Sequence, residues 1–229
     1  IVEPEDASGE ACARAAISAV VNGEADFLMK GALNTTELLK QVVRSPLMTG
    51  APLSHAMFFE PAHYGKLLLV TDGGMNPAPD LERKKAILIN AANLLLMIKY
   101  ERVYAACVSG SEVVSEKIPS TVDAKILAEM DWSGWDMTVY GPVGVDLAIS
   151  AESRAHKGYS ADVENADILL MPNYEAANCF GKALTYFAGT PSAGIVVGAS
   201  RPIVLVSRAD PAETKCTSLA LGAIAAKGE

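Results

Sequence analysis

The sequence has few of the patterns that mark metal, redox and nucleotide sites. Its four cysteines and three histidines are scattered, with no CxxC pair and no Cys/His spacing typical of zinc. It contains no GxxxxGK[ST], no GxGxxG after a predicted strand, no GxSxG and no HExxH. These absences exclude the commonest zinc, nucleotide and serine-hydrolase sites, and we expect no bound metal.

Long basic and long apolar runs are also missing. Without a Lys/Arg run and with a formal net charge of -8, the chain is not expected to bind nucleic acid. The stretch "AILINAANLLLMI" is too short to span a membrane and carries two asparagines, so no membrane association is predicted. The scattered cysteines favour reduced thiols and a cytoplasmic location, and no signal peptide opens the chain, which begins at Ile1.

What is present is a chain of 229 residues, half of them hydrophobic, which is enough for a large core. Short apolar runs predict strands at 25–31, 53–60, 66–72, 102–109, 136–141, 166–173, 193–200 and 202–207. Helical patterns alternate with them at 9–23, 34–45, 78–100, 119–130, 174–189 and 211–227. Because several of the runs are continuously apolar, as in strands covered on both faces, we predict an α/β fold with parallel sheets.

Two stretches rich in glycine, proline and polar residues predict domain boundaries, at 71–80 and near 198–203. We therefore expect one domain over residues 1–75 and 200–229 and a second over 76–199.

Polar residues follow several predicted strands, where open α/β sheets place their ligands. Lys30 ends the first strand, and Asn34 and Thr35 open the next helix, whose free N–H groups suit phosphate. Simple helix capping is the alternative role for Asn34 and Thr35. Asp72 ends another strand beside two glycines, where a structural turn is the alternative.

Two further clusters occur in the second half of the chain. Asn173 follows a strand, and Asn178 and Lys182 lie four residues apart on one helix face. Ser207 and Arg208 end the last strand, and Glu213 stands in the first turn of the next helix. They offer a hydroxyl donor, a planar cation and a carboxylate that is either a base or a residue compensating the helix dipole.

These clusters, in this order, resemble the phosphate acetyl/butyryl transferase family over nearly the whole chain. The resemblance rests on "ADFLMKGALNTTELLK", "TDGGMNPAPDLERKKAILINAA", "KIPSTVDAKIL", "YGPVGVDLAIS" and the long block from "ADILLMPNYEAANCFGKALTYFAG" to "SRADPAETK". The "SRAD" ending is closer to the butyryltransferase branch than to the acetyltransferase branch.

For the fold, the resemblance implies two α/β domains with mainly parallel sheets and an interdomain cleft, like isocitrate and isopropylmalate dehydrogenases. Family members carry about one further strand–helix–strand stretch before "IVEPED", so we expect the N-terminal portion of the first domain to be truncated. A homodimer or a higher homo-oligomer is also expected.

The implied reaction converts a short-chain acyl-CoA and phosphate into an acyl phosphate and CoA, and the reverse. Direct attack by the CoA thiolate in a ternary complex is expected, with coenzyme A as a substrate and no cofactor. Ser207 matches the serine that donates to the reacting carbonyl, and Arg208 matches the arginine that neutralises phosphate or thiolate. The family's aspartate base aligns with Thr214, so the neighbouring Glu213 is predicted as the base on chemical grounds.

A phosphate-binding arginine of the family aligns with Lys40, with Arg44 one turn later. Lysine keeps the charge but loses the bidentate geometry.

Three alternatives stay open at this point. The chain could be a phosphate acetyltransferase, a non-catalytic regulatory or CoA-binding relative such as the domain appended to malic enzymes, or a decarboxylating dehydrogenase. The last would need a pair of metal-binding aspartates, and the sequence offers no convincing pair. Acyl chain length depends on pocket packing, which the sequence does not specify.

Overall fold

The computed structural model describes residues 4–6, 8–207 and 209–227. The chain divides into two compact units, the first formed by residues 1–53 and 193–229 and the second by residues 54–192. The domain boundaries expected near residues 75 and 200 stay a prediction.

The described residues form eight strands, eight α-helices and one 3₁₀ turn at Ser133–Trp135. In chain order these are α1 (Gly9–Val21), β1 (Leu28–Met29), α2 (Thr35–Val43), β2 (Ser54–Phe59), β3 (Leu68–Thr71), α3 (Leu81–Met97), β4 (Val103–Val108), α4 (Pro119–Ala128), β5 (Met137–Val143), α5 (Val145–Ile149), α6 (Ala151–Lys157), β6 (Ile168–Leu170), α7 (Tyr174–Tyr186), β7 (Ser192–Val197), β8 (Ile203–Val204) and α8 (Ala212–Lys227).

In the first unit, β1 pairs in parallel with β8, and β7 pairs with β8 in the antiparallel sense. The backbone N–H of Lys30 continues the parallel ladder by donating to the carbonyl of Val204 at 3.0 Å. Ser218 ties α8 to β7, because its Oγ accepts from the Gly194 N–H at 3.0 Å and donates to the Thr214 carbonyl at 2.7 Å. Because β1 and β8 are parallel neighbours, their carboxyl ends lie side by side.

The second unit has its strands in the order β2-β3-β6-β4-β5, and only the β2–β3 pair is antiparallel within it. Its core is made of continuously apolar strand residues such as Val70, Ala106 and Leu169. This burial on both faces is the reason that these strands read as unbroken apolar runs. The structure thus confirms the predicted α/β class with mainly parallel pairing.

All eight predicted strands and all six predicted helices are present, and every strand except β5 is shorter than expected. Helices α5 and α6 were not predicted, because their lengths of five and seven residues are too short to show a helical period in the sequence. Strand β5 runs beyond its predicted end through Pro142. A proline is tolerated there because β5 ends the strand order of its unit and the missing N–H breaks no ladder.

Each described helix is too short or too polar to cross a bilayer. Within the same residues, no group of three or more His, Cys, Asp or Glu side chains could hold a metal ion. All four cysteines are free thiols, of which only Cys107 is buried.

Candidate active site

The carboxyl ends of β1 and β8 bring two of the predicted clusters together. We call this place the first-unit edge, and it consists of residues 30–34 after β1 and residues 205–207 and 209–211 after β8. Neighbouring parallel strands deliver the loops that follow them to the same side of a sheet, where α/β proteins bind ligands. The pairing of Met29 with Val204 sets the register of the two loops.

Lys30 has a structural task at this edge. Its side chain is buried, and its ammonium donates to the carbonyls of Gly31 at 3.1 Å and Leu33 at 3.4 Å. The charge therefore holds the loop that leads into α2.

Asn34 is the N-cap of α2, and its Oδ1 accepts from the Thr36 N–H at 2.9 Å. Thr35 is the first helical residue and is half-buried. The structure therefore shows Asn34 in the helix-capping role that the sequence offered as the alternative. The first turn of a helix still has other backbone N–H groups, and a phosphate could accept hydrogen bonds from them.

Ser207 lies exposed in a tight turn after β8. Its N–H donates to Oδ2 of Asp210 at 2.7 Å, its Oγ accepts from the Ala209 N–H at 3.3 Å, and its carbonyl accepts from the Asp210 N–H at 3.2 Å. Sequence reasoning missed Asp210, although an aspartate that hydrogen-bonds nearby backbone is a common turn signal. Arg208 lies outside the described residues.

Glu213 stands in the first turn of α8, as expected, and its side chain is exposed. The aligned alternative, Thr214, is half-buried, and its carbonyl accepts from Ser218. Two carboxylates, Asp210 and Glu213, therefore follow Ser207 within six residues.

Lys40 and Arg44 lie on the C-terminal half of α2. At 1.5 Å per residue they stand roughly 8 and 14 Å beyond Thr35 along the helix. The Lys40 ammonium is 3.3 Å from Oε1 of Glu10 on α1, in an exposed ion pair. Arg44 is the exposed C-cap of the helix. The structure thus does not bring these two cations beside Asn34, and their role in phosphate binding stays a prediction.

The other predicted residues belong to the second unit, at what we call the second-unit edge, residues 72–76 after β3 and 171–173 after β6. Strands β3 and β6 are parallel neighbours, and the Met171 N–H donates to the Thr71 carbonyl at 2.8 Å. Asp72 is buried, and its carboxylate accepts from the N–H groups of Gly74 and Met75 and from the Asn76 side chain. These bonds support the structural-turn role for Asp72.

Asn173 and Asn178 meet at this second-unit edge. Asn173 is the N-cap of α7 and accepts from the Ala176 N–H at 2.9 Å. Asn178 donates from Nδ2 to the Gly73 carbonyl at 3.1 Å, which joins α7 to the loop after β3. Lys182 lies one turn further along α7 with an exposed side chain.

None of the ion pairs in the second unit was predicted, and one of them joins α3 to α4. The ammonium of Lys84 on α3 lies 2.7 Å from Oδ2 of Asp123 on α4, and the lysine is buried. The partners are 39 residues apart, so no local pattern marks them.

Comparison with known proteins places the chain in a family. A family model described as "Phosphate acetyl/butaryl transferase" matches residues 8–223. A phosphate butyryltransferase of Clostridium acetobutylicum is 40% identical over 92% of this chain and 72% of its own length. A phosphate acetyltransferase of Thermotoga maritima is 37% identical over 96% of this chain and 76% of its own length.

Among solved structures, a branched-chain phosphotransacylase from Enterococcus faecalis V583 matches with a TM-score of 0.91 and 35% identity. That match covers 97% of this chain and 81% of the other. The family resemblance noted in the sequence is therefore confirmed, and the chain belongs to the phosphate acetyl/butyryl transferase family of transferase enzymes.

Proposed function

We propose that the protein is a phosphate acyltransferase that interconverts a short-chain acyl-CoA plus phosphate with an acyl phosphate plus CoA. The observation that carries the proposal is the pairing of β1 with β8, which puts the loop of Lys30 and Asn34 beside the turn of Ser207. A phosphate-suited helix start and a hydroxyl donor at one sheet edge serve a reaction that cleaves an acyl–phosphate bond.

In the proposed mechanism the CoA thiol gives its proton to a carboxylate. The thiolate sulfur attacks the carbonyl carbon of the acyl phosphate, and the bond from that carbon to the phosphate oxygen breaks. Ser207 donates to the oxyanion of the transition state, while Arg208 and the α2 N-terminus bind the phosphate that leaves. No covalent enzyme intermediate forms, and coenzyme A is a substrate rather than a bound cofactor.

The finer assignments belong to the same proposal. They are two α/β domains of the isocitrate/isopropylmalate dehydrogenase type with an interdomain cleft, a homodimer or higher homo-oligomer, and a cytoplasmic location. Their support is the family resemblance, together with the domain boundaries predicted from the sequence.

The direct test is an assay of the full chain with a panel of acyl-CoAs, from acetyl to valeryl and isovaleryl, that measures free thiol released upon addition of phosphate. We expect phosphate-dependent release with C4 acyl-CoAs. Absence of release with every member of the panel, while CoA still binds by calorimetry, would instead indicate a non-catalytic CoA-binding relative.

A second candidate, phosphate acetyltransferase, is favoured by one specific observation. Relatives named for acetyl transfer are about as similar to this chain as those named for butyryl transfer, at 37–40% against 38–40% identity. The ratio of kcat/KM for acetyl-CoA to kcat/KM for butyryl-CoA in the same panel decides between the acetyltransferase and the butyryltransferase activity.

Lys40 provides a prediction about phosphate binding. If it contacts phosphate, Lys40→Ala removes a charge-assisted hydrogen bond and raises the phosphate KM by about tenfold, with the CoA KM unchanged. Glu10→Gln is the matched control, because it removes the ion-pair partner and leaves Lys40 in place. Unchanged constants in Lys40→Ala would make this lysine a solvated helix residue and transfer the role to Arg44, which Arg44→Ala tests in the same assay.

A further inference from the structure

Helix α7 in the second unit ends in two exposed aromatic residues. Phe187 is 93% exposed, more than any other large hydrophobic residue that the structure describes, and Tyr186 before it is 66% exposed. An aromatic side chain buries roughly 150–250 Å² when it is covered, so the pair offers roughly 300–500 Å² of contact surface. Exposed apolar surface of that size marks a place where another molecule binds.

The exposed side chains of α7 lie along one line of the helix, which we call the outer face of α7. They recur every three or four positions, so they stack above one another. They are Glu175, Cys179, Lys182 and Tyr186. On the opposite side Ala177 is buried in the core of the unit, and a Cβ on Gly181 would lie 3.2 Å from the Phe59 ring. The outer face therefore points away from the core of its own unit.

The charges of the outer face favour a second copy of this chain as the partner. The chain has a formal net charge of -8, so two copies repel each other where their acidic surfaces meet. The outer face carries one acidic and one basic residue, Glu175 and Lys182, which cancel. Two identical surfaces related by a twofold axis pair residue i with j and j with i. An axis level with the midpoint between residues 178 and 179 pairs each Glu175 with Lys182 of the partner subunit.

The same antiparallel alignment covers the aromatic end of the helix. Tyr186 lies about 11 Å from the axis along the helix, at 1.5 Å per residue. At that height it faces Pro172 of the partner subunit, an apolar residue just before α7. The two aromatic side chains of each copy supply roughly 300–500 Å² of the about 800 Å² per partner that a stable interface buries.

We propose that the outer face of α7 and Phe187 form a homodimer contact, in which α7 packs antiparallel against α7 of a second copy. The inference rests on the homo-oligomer included in the proposed function and deepens it by naming the contact surface. It gives Lys182, which the sequence predicted as a substrate ligand, a role between subunits. The tests below measure association, so their outcome is separate from that of the acyl-transfer assay.

Charge reversal tests the pairing of Glu175 with Lys182. Glu175→Lys and Lys182→Glu each create two like-charge pairs across the contact, and we expect either change to raise the dimer dissociation constant by about tenfold or more. Sedimentation of the full chain measures this constant. The double variant Glu175→Lys/Lys182→Glu restores both pairs and should return it close to the wild-type value. Two weakened single variants without this rescue would overturn the antiparallel pairing.

A charge placed in the aromatic end tests the apolar part of the contact. Phe187→Glu should raise the dimer dissociation constant by about 30-fold or more, the effect of losing a hot-spot aromatic residue. The matched control is Val113→Glu, because Val113 is 74% exposed in the same unit and lies outside α7. It should leave the dimer unchanged. Equal weakening by both variants, or by neither, would overturn the assignment of Phe187.

Cys179 reports directly on the geometry of the contact. It lies within about 1 Å of the axis level along the helix, so the proposed dimer brings the two Cys179 side chains face to face. Cys12→Ser and Cys216→Ser remove the other exposed thiols. In that background copper-phenanthroline should link two chains through a disulfide that dithiothreitol cleaves, and adding Cys179→Ser should abolish the link.

The outcomes separate the two levels of the proposal. A wild-type dimer that gives no Cys179 cross-link would overturn the α7 contact alone and leave the homo-oligomer in place. Wild-type protein that sediments as a monomer would overturn both. Neither result alters the acyl-CoA panel, whose failure would instead overturn the proposed reaction.

Discussion

Ser207→Ala is expected to lower kcat by about 10²–10³, the usual effect of removing one oxyanion donor, with nearly unchanged KM values for acyl-CoA and phosphate. The reason is that this hydroxyl stabilises negative charge that exists only in the transition state, so its loss leaves ground-state binding intact. Steady-state kinetics with separate variation of the two substrates measure the two constants.

Two controls are needed to interpret the kcat of Ser207→Ala. Ser207 Oγ also accepts from the Ala209 N–H, so the melting temperature must show that the turn survives the substitution. Ser45→Ala is the matched control, because the Ser45 hydroxyl likewise bonds neighbouring backbone, donating to the Val42 carbonyl at 2.7 Å, in the loop after α2. If the Ser207→Ala enzyme keeps the full kcat, or differs from wild type only by a raised KM, then Ser207 takes no part in the chemical step.

The sequence was sufficient for the framework around Ser207. Strand β8 is buried at both of its residues and lies in an apolar run that ends at a serine, while β1, whose Met29 is exposed, lies in an apolar stretch that ends at a lysine. The position of a polar residue relative to a strand end is local information. Hence the placement of Lys30, Asn34 and Ser207 after their strands could be predicted, together with the α/β class.

The contacts that those side chains make were harder to predict than their positions. Lys30 was predicted to bind substrate, and in the structure its ammonium donates to the nearby carbonyls of Gly31 and Leu33. Lys40 pairs with Glu10, which is 30 residues away. Long-range pairs of this kind depend on how helices pack, whereas capping by Asn34 depends only on residues within two positions.

The largest fall in kcat is expected from replacing the general base. Glu213→Gln should lower kcat by about 10²–10⁴, the usual contribution of general-base catalysis. It should also remove the acidic limb of the pH–rate profile. A carboxylate base works only when ionised, so wild-type activity falls as pH drops and the group becomes protonated. A glutamine has no such titration, and the remaining slow rate would no longer depend on this group.

The turn after β8 offers a second carboxylate, and comparing three variants separates the possibilities. Asp210 is the nearer candidate in sequence, but its Oδ2 already accepts from the Ser207 N–H at 2.7 Å. Asp210→Asn should therefore disturb the Ser207 turn and leave the acidic limb in place, and Thr214→Val should be mild. If Asp210→Asn abolishes the acidic limb while Glu213→Gln keeps it, Asp210 is the base. If Thr214→Val is crippled and both carboxylate variants stay active, the role of Glu213 is confined to compensating the dipole of α8.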